Sequence, residues 1–390
     1  MPVEDAIEIR TSISDIAPAA WNALAGNNPF LQHEFLDSLH NSGCAATATG
    51  WTPQYLLLTE GGVLTGAMPL YLKAHSYGEY VFDWAWADAY QRHGLRYYPK
   101  LLSAIPFTPV GGRRLLAATP ERRARLLTAA LDLARSLDVS SLHCLFPTVE
   151  EATAMQASGL LLRSGVQFHW HNAGYRDFEA FLTGLIPVKR KKIRQERRRV
   201  REAGIDFEWI EGENLADDWW SFFNRCYAET YRQHHSTPYL NLDFFREIGR
   251  RMPGNLLLVI ARRAGKPIAA SLNMHNGETL FGRYWGCIEH HPSLHFETCY
   301  YQVIEYCIAR GIATFEGGAQ GEHKMARGLL PVETRSAHWL AHPRFAAAVE
   351  EYLSRERANL SLRLDELDAR TPYRHADGSP PADGPTPVSG

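Results

Sequence analysis

The sequence predicts an α/β protein of two similar domains, each containing a mixed, mostly antiparallel sheet flanked by helices. The order β-β-β-α-β occurs twice along the chain. The 390 residues also correspond to about 2.6 domains at roughly 150 residues each. Hydrophobic residues make up 45% and charged residues 22% of the chain. This usage is typical of a chain that buries a core and excludes general disorder.

The first copy begins with three predicted strands separated by turns, namely Tyr55–Thr59, Leu64–Tyr71 and the aromatic stretch Tyr80–Trp86. Gly61 and Gly62 form the first turn. Thr119 and Pro120 then predict the N-cap and the first residue of a helix. A further strand is expected at Ser141–Phe146, so we place the first domain at residues 1–165.

The second copy repeats this order with three more predicted strands, Leu256–Ala261, Ile268–Met274 and Leu280–Gly286. A helix over Glu297–Arg310 follows, and Gly311 predicts its C-terminal end. Ile312–Glu316 is the next strand. The second domain is predicted to cover residues 166–370.

Three segments lie outside the repeated order. A short helix is expected over Asp177–Leu185 and a basic helix over residues 187–203, ended by Gly204. Pro343 predicts the start of a helix over residues 343–370. Residues 371–390 are rich in Pro, Gly, Asp and Ser and are predicted to be a disordered tail.

Composition and spacing also limit the function. No apolar run reaches the roughly 18 residues of a membrane-spanning helix, and the N-terminus has acids where a signal peptide has cations. We therefore expect a cytoplasmic protein. Six cysteines stand singly without a C-x-x-C pair, and there is no H-x-x-x-H, so neither a metal site nor a disulfide framework is predicted.

The glycine-rich segment Glu316–Gly328 is the first candidate site, because it follows a predicted strand and α/β folds place ligands at strand ends. Glu322 or His323 is predicted to be the general base. The other candidate substrate-binding residues of this segment are Glu316, Gln320, Lys324 and Arg327, of which the last two would hold an anionic group. A solvated surface loop is the alternative. The glycines match neither a P-loop nor G-x-G-x-x-G.

Two further groups of polar residues are candidates. Arg283 and Trp285 are predicted to bind substrate, with Tyr284 as the general acid, although Tyr300 or Tyr301 would also suit that role. In the first copy, polar and aromatic residues alternate along the predicted third strand, and we expect His75, Glu79 and Tyr80 to line a groove there. A half-buried strand with a solvated outer face is equally compatible with the alternation.

The basic helix carries nine cations and one acid between Lys189 and Arg201. Its like-charge pairs at i,i+4 spacing cost roughly 0.2–0.5 kcal/mol each, which a helix tolerates without a partner. Either the cations are solvated, or they bind an anion such as the phosphates of a donor. The residues predicted for the second case are Lys189, Arg190, Arg194 and Arg197.

Several longer motifs carry a family resemblance. They are Pro69–Lys73, His75–Trp84, Pro106–Val110, Gly282–Cys287, His295–Tyr301 and Gly318–Lys324. With them, about residues 10–350 resemble the FemAB-like family of predicted N-acyltransferases. That family is related to the peptidoglycan-bridge aminoacyltransferases and has two GNAT-like domains in tandem. The resemblance thus implies the same duplication that the repeated strand order predicts.

The resemblance implies transfer of an acyl group from an activated donor to a small-molecule or peptide amine. Acyl-CoA or a similar thioester is one implied donor. Aminoacyl-tRNA is the alternative, with a peptide or cell-wall precursor as acceptor. The R/Q-x-x-G-x-G/A turn that binds the CoA pyrophosphate has no clear copy here, since Arg262–Pro267 lies in a predicted hairpin. A non-catalytic protein that retains the fold is a third reading. DNA is not expected as a partner.

Overall fold

The structure is a computed structural model that describes residues 5–319 and 321–374. It divides the chain into unit 1, Met1–Gly165 with Thr334–Asn359, and unit 2, Val166–Glu333 with Leu360–Gly390. The boundary near residue 165 is where the sequence placed it. Thr334–Asn359, however, returns to unit 1, although the sequence assigned all of 166–370 to the second domain.

Unit 1 contains two sheets and their helices. The elements are β1 (Ala6–Arg10), α1 (Pro18–Ala25), α2 (His33–Asn41), β2 (Trp51–Pro53), β3 (Tyr55–Glu60), β4 (Val63–Met68), β5 (Tyr71–Lys73), α3 (Trp84–Arg92), β6 (Lys100–Ser103), β7 (Leu116–Ala117), α4 (Pro120–Ser136), β8 (Ser141–Leu145) and α5 (Val149–Ala157). One sheet has the order β1-β3-β4-β7, and the other includes β8-β6-β5-β2. β6 and β8 are parallel.

Helix α4 begins as its cap residues predict, with the Thr119 side chain accepting a hydrogen bond from the Arg122 backbone N–H. Its apolar face packs in the core of unit 1, where Leu126 and Ala130 are fully buried with Leu58 and Leu142 of the strands. The 3.6-residue spacing of the apolar positions therefore determines which face of α4 covers the sheets.

The prediction of a third strand at Tyr80–Trp86 is wrong. Residues 74–83 are irregular, and α3 begins at Trp84. Trp86 and Tyr90, one helical turn apart, are both buried, whereas Trp84 is exposed. The alternating tryptophans resembled a strand, but burial follows helical spacing. β6 takes the place of the predicted strand.

Unit 2 is built on one sheet with helices on both faces. The remaining elements are β9 (Leu161–His171), α6 (Phe178–Gly184), α7 (Pro187–Glu202), β10 (Ile205–Glu211), α8 (Asp217–Gln233), α9 (Leu242–Arg251), β11 (Leu256–Arg263), β12 (Lys266–His275), β13 (Thr279–Cys287), α10 (Leu294–Phe296), α11 (Gln302–Arg310), β14 (Thr314–Ala319), β15 (Leu330–Leu340) and α12 (Pro343–Ala369). The strand order in unit 2 is β10-β11-β12-β13-β14-β9.

The ladders of this sheet are antiparallel from β10 to β13 and between β14 and β9, and β13 pairs with β14 in parallel. The predicted helix after β13 contains one π turn, Glu297–Tyr301, before α11. It ends at Gly311, which has a φ of 68°, as the sequence predicts. The mixed α/β class with mostly antiparallel sheets and flanking helices is thus confirmed.

Helix α8 packs closely on β13, because Gly286 has no side chain. A Cβ built there would lie 1.9 Å from the Cys226 carbonyl oxygen. On the other face, Phe181 of α6 and Tyr301 of the π turn are buried in the largest core of unit 2. Successive residues of β13 therefore face different helical layers.

The described C-terminal segment is ordered beyond the end of α12. The Ile186 N–H donates to the Pro372 carbonyl oxygen at 2.9 Å, and the Tyr373 hydroxyl donates to the Gly328 carbonyl oxygen at 2.7 Å. The predicted disordered tail from 371 therefore begins four residues too early. The rest of that prediction, residues 375–390, lies outside the described residues.

Candidate active site

The parallel strands β13 and β14 pair only at their beginnings. Their ladder joins Thr279–Phe281 to Thr314–Glu316. Beyond it, a bulge inserts Arg283 into β13, since Leu272 pairs with Tyr284 and Asn273 with Gly282. β14 is irregular after Glu316 as well. Bulges bend strands and re-aim side chains, so the two strands separate and leave room for polar side chains between their ends.

Arg283 and Glu316 form a buried ion pair at this separation. Arg283 Nη2 donates to Glu316 Oε2 at 2.9 Å, and the two side chains are 2% and 13% exposed. Burial raises the pKa of the Glu316 carboxyl, and the Arg283 charge opposes that rise. Both residues were predicted from the sequence, and the structure brings them together.

Lys324 closes the end of β14 from below. Its Nζ donates to the carbonyl oxygens of Gly318 and Ala319, each at 3.0 Å, and the side chain is buried. Burial, followed by repulsion from Arg283, lowers the pKa of the Lys324 amine to about 8. A buried amine with this pKa changes its charge close to physiological pH.

His323 and Tyr300 are in contact next to this lysine. The Tyr300 hydroxyl lies 3.3 Å from His323 Nε2. Burial lowers the pKa of His323, helped by the charges of Arg327 and Lys324, so the imidazole is neutral at pH 7. Burial raises the pKa of the Tyr300 phenol, which keeps its proton. The pair can thus accept one proton and donate another.

A ring of aromatic and imidazole groups surrounds this pair. The Trp285 ring lies 5.1 Å from His295, and His295 lies 5.5 Å from Tyr300. Burial, with nearby His323 and cations, lowers the pKa of His295 to about 4. Trp285, predicted to bind substrate, is therefore part of the wall beside the His323–Tyr300 pair.

Three predicted residues do not join this group. Tyr284 lies on the α8–α9 side of β13, 5.6 Å from the Tyr227 ring, which is opposite to Trp285. The exposed Glu322 carboxylate accepts a hydrogen bond from Arg363 of α12 and turns away from His323. Gln320 lies outside the described residues.

Arg327 does not face solvent as an anchor for an anion. It is buried, and its Nη2 lies 2.9 Å and 3.1 Å from the two carboxylate oxygens of Glu196. Its Nη1 donates to the His323 carbonyl oxygen at 2.7 Å. Arg327 therefore holds the turn that carries His323. Glu196 is the one acid within the basic run, and that isolation was a signal that the sequence reasoning did not use.

The basic helix α7 is neutralised along its second half. Arg194 Nη2 lies 2.5 Å from Glu179, and Arg197 contacts Glu297 at 3.0 Å and Glu305 at 2.7 Å. This half borders a cleft of ≈ 930 Å³. Lys189 and Arg190, by contrast, form no ion pair with any residue that the structure describes.

Unit 1 contains a buried charge network that the sequence reasoning found only in part. Lys100 Nζ donates to Ser76 Oγ at 2.7 Å, to Glu79 Oε2 at 2.8 Å and to Asp83 Oδ2. All four side chains are buried. Glu79 was predicted to line a groove, but it is tied to Lys100 below the irregular segment that carries His75 and Tyr80, which are themselves partly exposed.

The network continues through Asp83. Tyr97 donates to Asp83 Oδ2 at 2.6 Å and lies 3.1 Å from His143 Nε2, and His143 in turn contacts His338 at 2.7 Å. Lys73, fully buried over the Trp51 ring at 3.6 Å, completes it. A lysine inside each of two apolar strands, β5 and β6, was the sequence signal for this network.

The turn after β13 does not fit the pyrophosphate of CoA. Pro292 has no N–H, and Ser293 has a φ of 69°. Glu289 is held there by Arg263 at 2.7 Å, and the buried Glu297 is in the next turn. Carboxylates at this point repel phosphate, whereas a binding turn offers backbone N–H groups.

Two absences hold for the parts of the chain that are described. No three His, Cys, Asp or Glu side chains come together as ligands of a metal ion. No helix in residues 5–374, Gln320 apart, has the length and apolar character needed to cross a bilayer.

Comparison with solved structures shows the fold. FemX is 12% identical with a TM-score of 0.55 over 86% of this chain and 98% of that chain. The C-terminal domain of a putative lysylphosphatidylglycerol synthetase from Agrobacterium fabrum is 10% identical with a TM-score of 0.53, over 88% and 96% of the two chains. L-PGS from Bacillus licheniformis is 8% identical with a TM-score of 0.52, over 84% and 97%.

No curated protein sequence matches the chain. A family model, FemAB-like, described as peptidoglycan biosynthesis/recognition, matches residues 12–375. This range covers both units and every described candidate site residue. The resemblance inferred from the motifs is therefore confirmed, and the chain belongs to the FemAB-like family.

Proposed function

We propose that the protein is an N-acyltransferase that transfers an acyl or aminoacyl group from an activated ester or thioester to an amine, with its reaction centre in unit 2. The His323–Tyr300 contact at 3.3 Å, beside the separated ends of β13 and β14, carries this proposal. It supplies a proton acceptor and a proton donor next to an edge of β13 where the β14 ladder has ended.

In the reaction, the nitrogen lone pair of the acceptor amine attacks the carbonyl carbon of the donor. His323 accepts the proton that the amine loses as the C–N bond forms. N–H groups on the edge of β13 stabilise the oxyanion. The C–O or C–S bond to the leaving group then breaks, and Tyr300 supplies its proton. Arg327, through the His323 carbonyl oxygen, keeps the imidazole in position.

The donor has two candidates, acyl-CoA and aminoacyl-tRNA. Because acids occupy the turn after β13, the structure favours a donor whose phosphates bind elsewhere. The cations of α7 suit aminoacyl-tRNA, the donor that the resemblance also implies. The family description supports an amine of a peptidoglycan precursor as the acceptor.

Mass spectrometry of the acceptor would test the proposal. Purified protein is incubated with an amine-bearing peptidoglycan precursor and, separately, with acetyl-CoA, longer acyl-CoAs and charged tRNA. We expect an acylated acceptor with one donor class and none with His323→Gln. If no donor yields product while calorimetry shows that the precursor binds, the protein is a binding protein and the transferase proposal fails.

A further inference from the structure

The start of α7 meets the C-terminal segment at one place in unit 2. The Arg374 N–H donates to the Gly184 carbonyl oxygen at 3.0 Å, as the Ile186 N–H does to Pro372. Leu185 and Tyr373 form a β-bridge there. The first turns of α7 and the residues after α12 are thus held side by side by backbone hydrogen bonds.

This junction collects cations from separate elements. Lys189 is half-buried on α7, while Lys192 and Arg370 are exposed. Burial lowers the pKa of the Lys189 amine, and the charges of Lys192, Arg370 and Arg327 lower it further, so these groups lie close together. Within residues 5–319 and 321–374, no acid forms an ion pair with Lys189, Lys192 or Arg370. We call these three residues the cationic cluster.

The position of the cationic cluster on the helix is unfavourable by itself. Helix α7 has Ile186 as its N-cap, no side-chain cap and no acid in its first turn. The helix dipole places positive charge at this end, so each cation there costs about 0.3–1 kcal/mol. The arginines further along, Arg194 and Arg197, have carboxylate partners. The first turns therefore carry charge that the protein does not compensate but that an anion would.

We infer that Lys189, Lys192 and Arg370 bind phosphate groups of the donor. Free N–H groups at the start of α7 would add to their charge. The inference rests on the proposed function only for the identity of the ligand as a donor. The shared chemistry is a polyphosphate or phosphodiester, which either acyl-CoA or tRNA supplies.

Calorimetry with inorganic tripolyphosphate tests the site in the full chain. The variant Lys189→Gln/Lys192→Gln/Arg370→Gln is compared with Arg198→Gln/Arg199→Gln/Arg201→Gln, which removes three exposed cations from the other half of α7. We expect at least a tenfold weaker Kd for the first variant and less than a threefold change for the second. Equal weakening of both variants, or no binding by the wild type, would overturn the inference.

Stability separates a binding role from a structural one. Removing cations from the N-terminal turns relieves repulsion and the unfavourable dipole contact, so the first variant should have a Tm equal to or above that of the wild type. A lower Tm together with weaker binding would indicate that the cationic cluster supports the fold, and would count against the inference.

Competition identifies the source of the phosphate. Acetyl-CoA or bulk tRNA is titrated against bound tripolyphosphate. If tRNA displaces it, the first variant should reduce the slope of log K against log salt by about three, one for each lost phosphate contact. Binding without any acyl transfer would leave this inference standing and remove the proposed function. Unchanged transfer and phosphate binding in the first variant would do the reverse.

Discussion

Each unit buries one lysine at the end of a strand, and the two differ in their partners. Lys100 in unit 1 donates to two carboxylates and a hydroxyl. Lys324 in unit 2 donates only to two backbone carbonyl oxygens. Attraction to Glu79 and Asp83 outweighs burial and raises the pKa of Lys100, whereas that of Lys324 falls to about 8. One lysine is a fixed charge and the other can titrate.

The parallel strand pairs differ in the same way. In unit 1 the ladder of β6 and β8 joins Leu101–Ser103 to Leu142–Cys144, and Arg114 fills the space beyond it. Arg114 is fully buried, donating to the carbonyl oxygens of Leu145 at 2.8 Å and Val110 at 2.6 Å. In unit 2 the comparable position holds His323 and Tyr300. Duplication of one order of elements therefore leaves one unit filled and the other reactive.

The largest expected effect is on unit 1. Lys100→Met leaves Glu79 and Asp83 buried without their cation, and breaking a buried pair in this way costs about 3–5 kcal/mol. Urea unfolding should show this loss. The matched change Lys324→Met should cost less than half as much, because it strands no charge. Equal losses would show that the two lysines play the same structural role.

Adding Glu79→Gln and Asp83→Asn to Lys100→Met serves as the control. It removes the stranded charges and should restore most of the lost stability. No recovery would mean that packing around Lys100, and not charge, maintains unit 1.

A second prediction concerns the reactive unit. His323→Gln should lower turnover about 100-fold or more, since it removes the proton acceptor. Glu322→Gln should stay within about threefold of the wild type, because its carboxylate is directed to Arg363. Steady-state rates for the two variants check this. A larger loss for Glu322→Gln would move the base to the carboxylate and contradict the geometry.

The pH dependence of stability sharpens the contrast further. Burial lowers the pKa of Lys73 to about 7, so folded unit 1 binds fewer protons than the unfolded chain above pH 7, and stability rises with pH there. Burial raises the pKa of Glu79 to about 7, so folded unit 1 binds more protons below pH 7, and stability falls as pH rises to 7. These two groups predict a minimum near pH 7.

Urea unfolding of the wild type and two variants between pH 5 and 9 measures this minimum. Lys73→Met should remove the rise above pH 7, and Glu79→Gln should remove the fall below it, each by roughly 1–3 kcal/mol. A constant difference between wild type and variant across the range would refute the assignment.

The smallest expected effect is on the neutralised half of α7. Arg194→Gln breaks an exposed ion pair with Glu179, whose side chains are 52% and 65% exposed. Such pairs contribute about 0–1 kcal/mol. Thermal unfolding should therefore shift little. A shift larger than that of the Lys324→Met variant would mean that α7 depends on this pair.

Local chemistry explains which elements were predictable. Thr119 with Pro120, and Gly311, mark helix ends by cap chemistry that needs no distant partner. The stretch Tyr80–Trp86 failed because its alternation fits a strand equally well, and only packing of Trp86 and Tyr90 against the rest of unit 1 selected a helix. The sites divide similarly, since Arg283, Glu316, His323 and Lys324 stand in motifs, whereas Tyr300 competed with other tyrosines of the same chain.

The sequence by itself determined the duplicated α/β architecture, the family and the region of the candidate site, because periodicity, caps and motifs are local properties. Only the tertiary structure decided which charges are compensated. Arg327 was read as an anchor until its contact with Glu196, 131 residues away, and Glu79 as a groove residue until Lys100. Charge compensation depends on distances between residues far apart in the chain, and these exist only once the chain has folded.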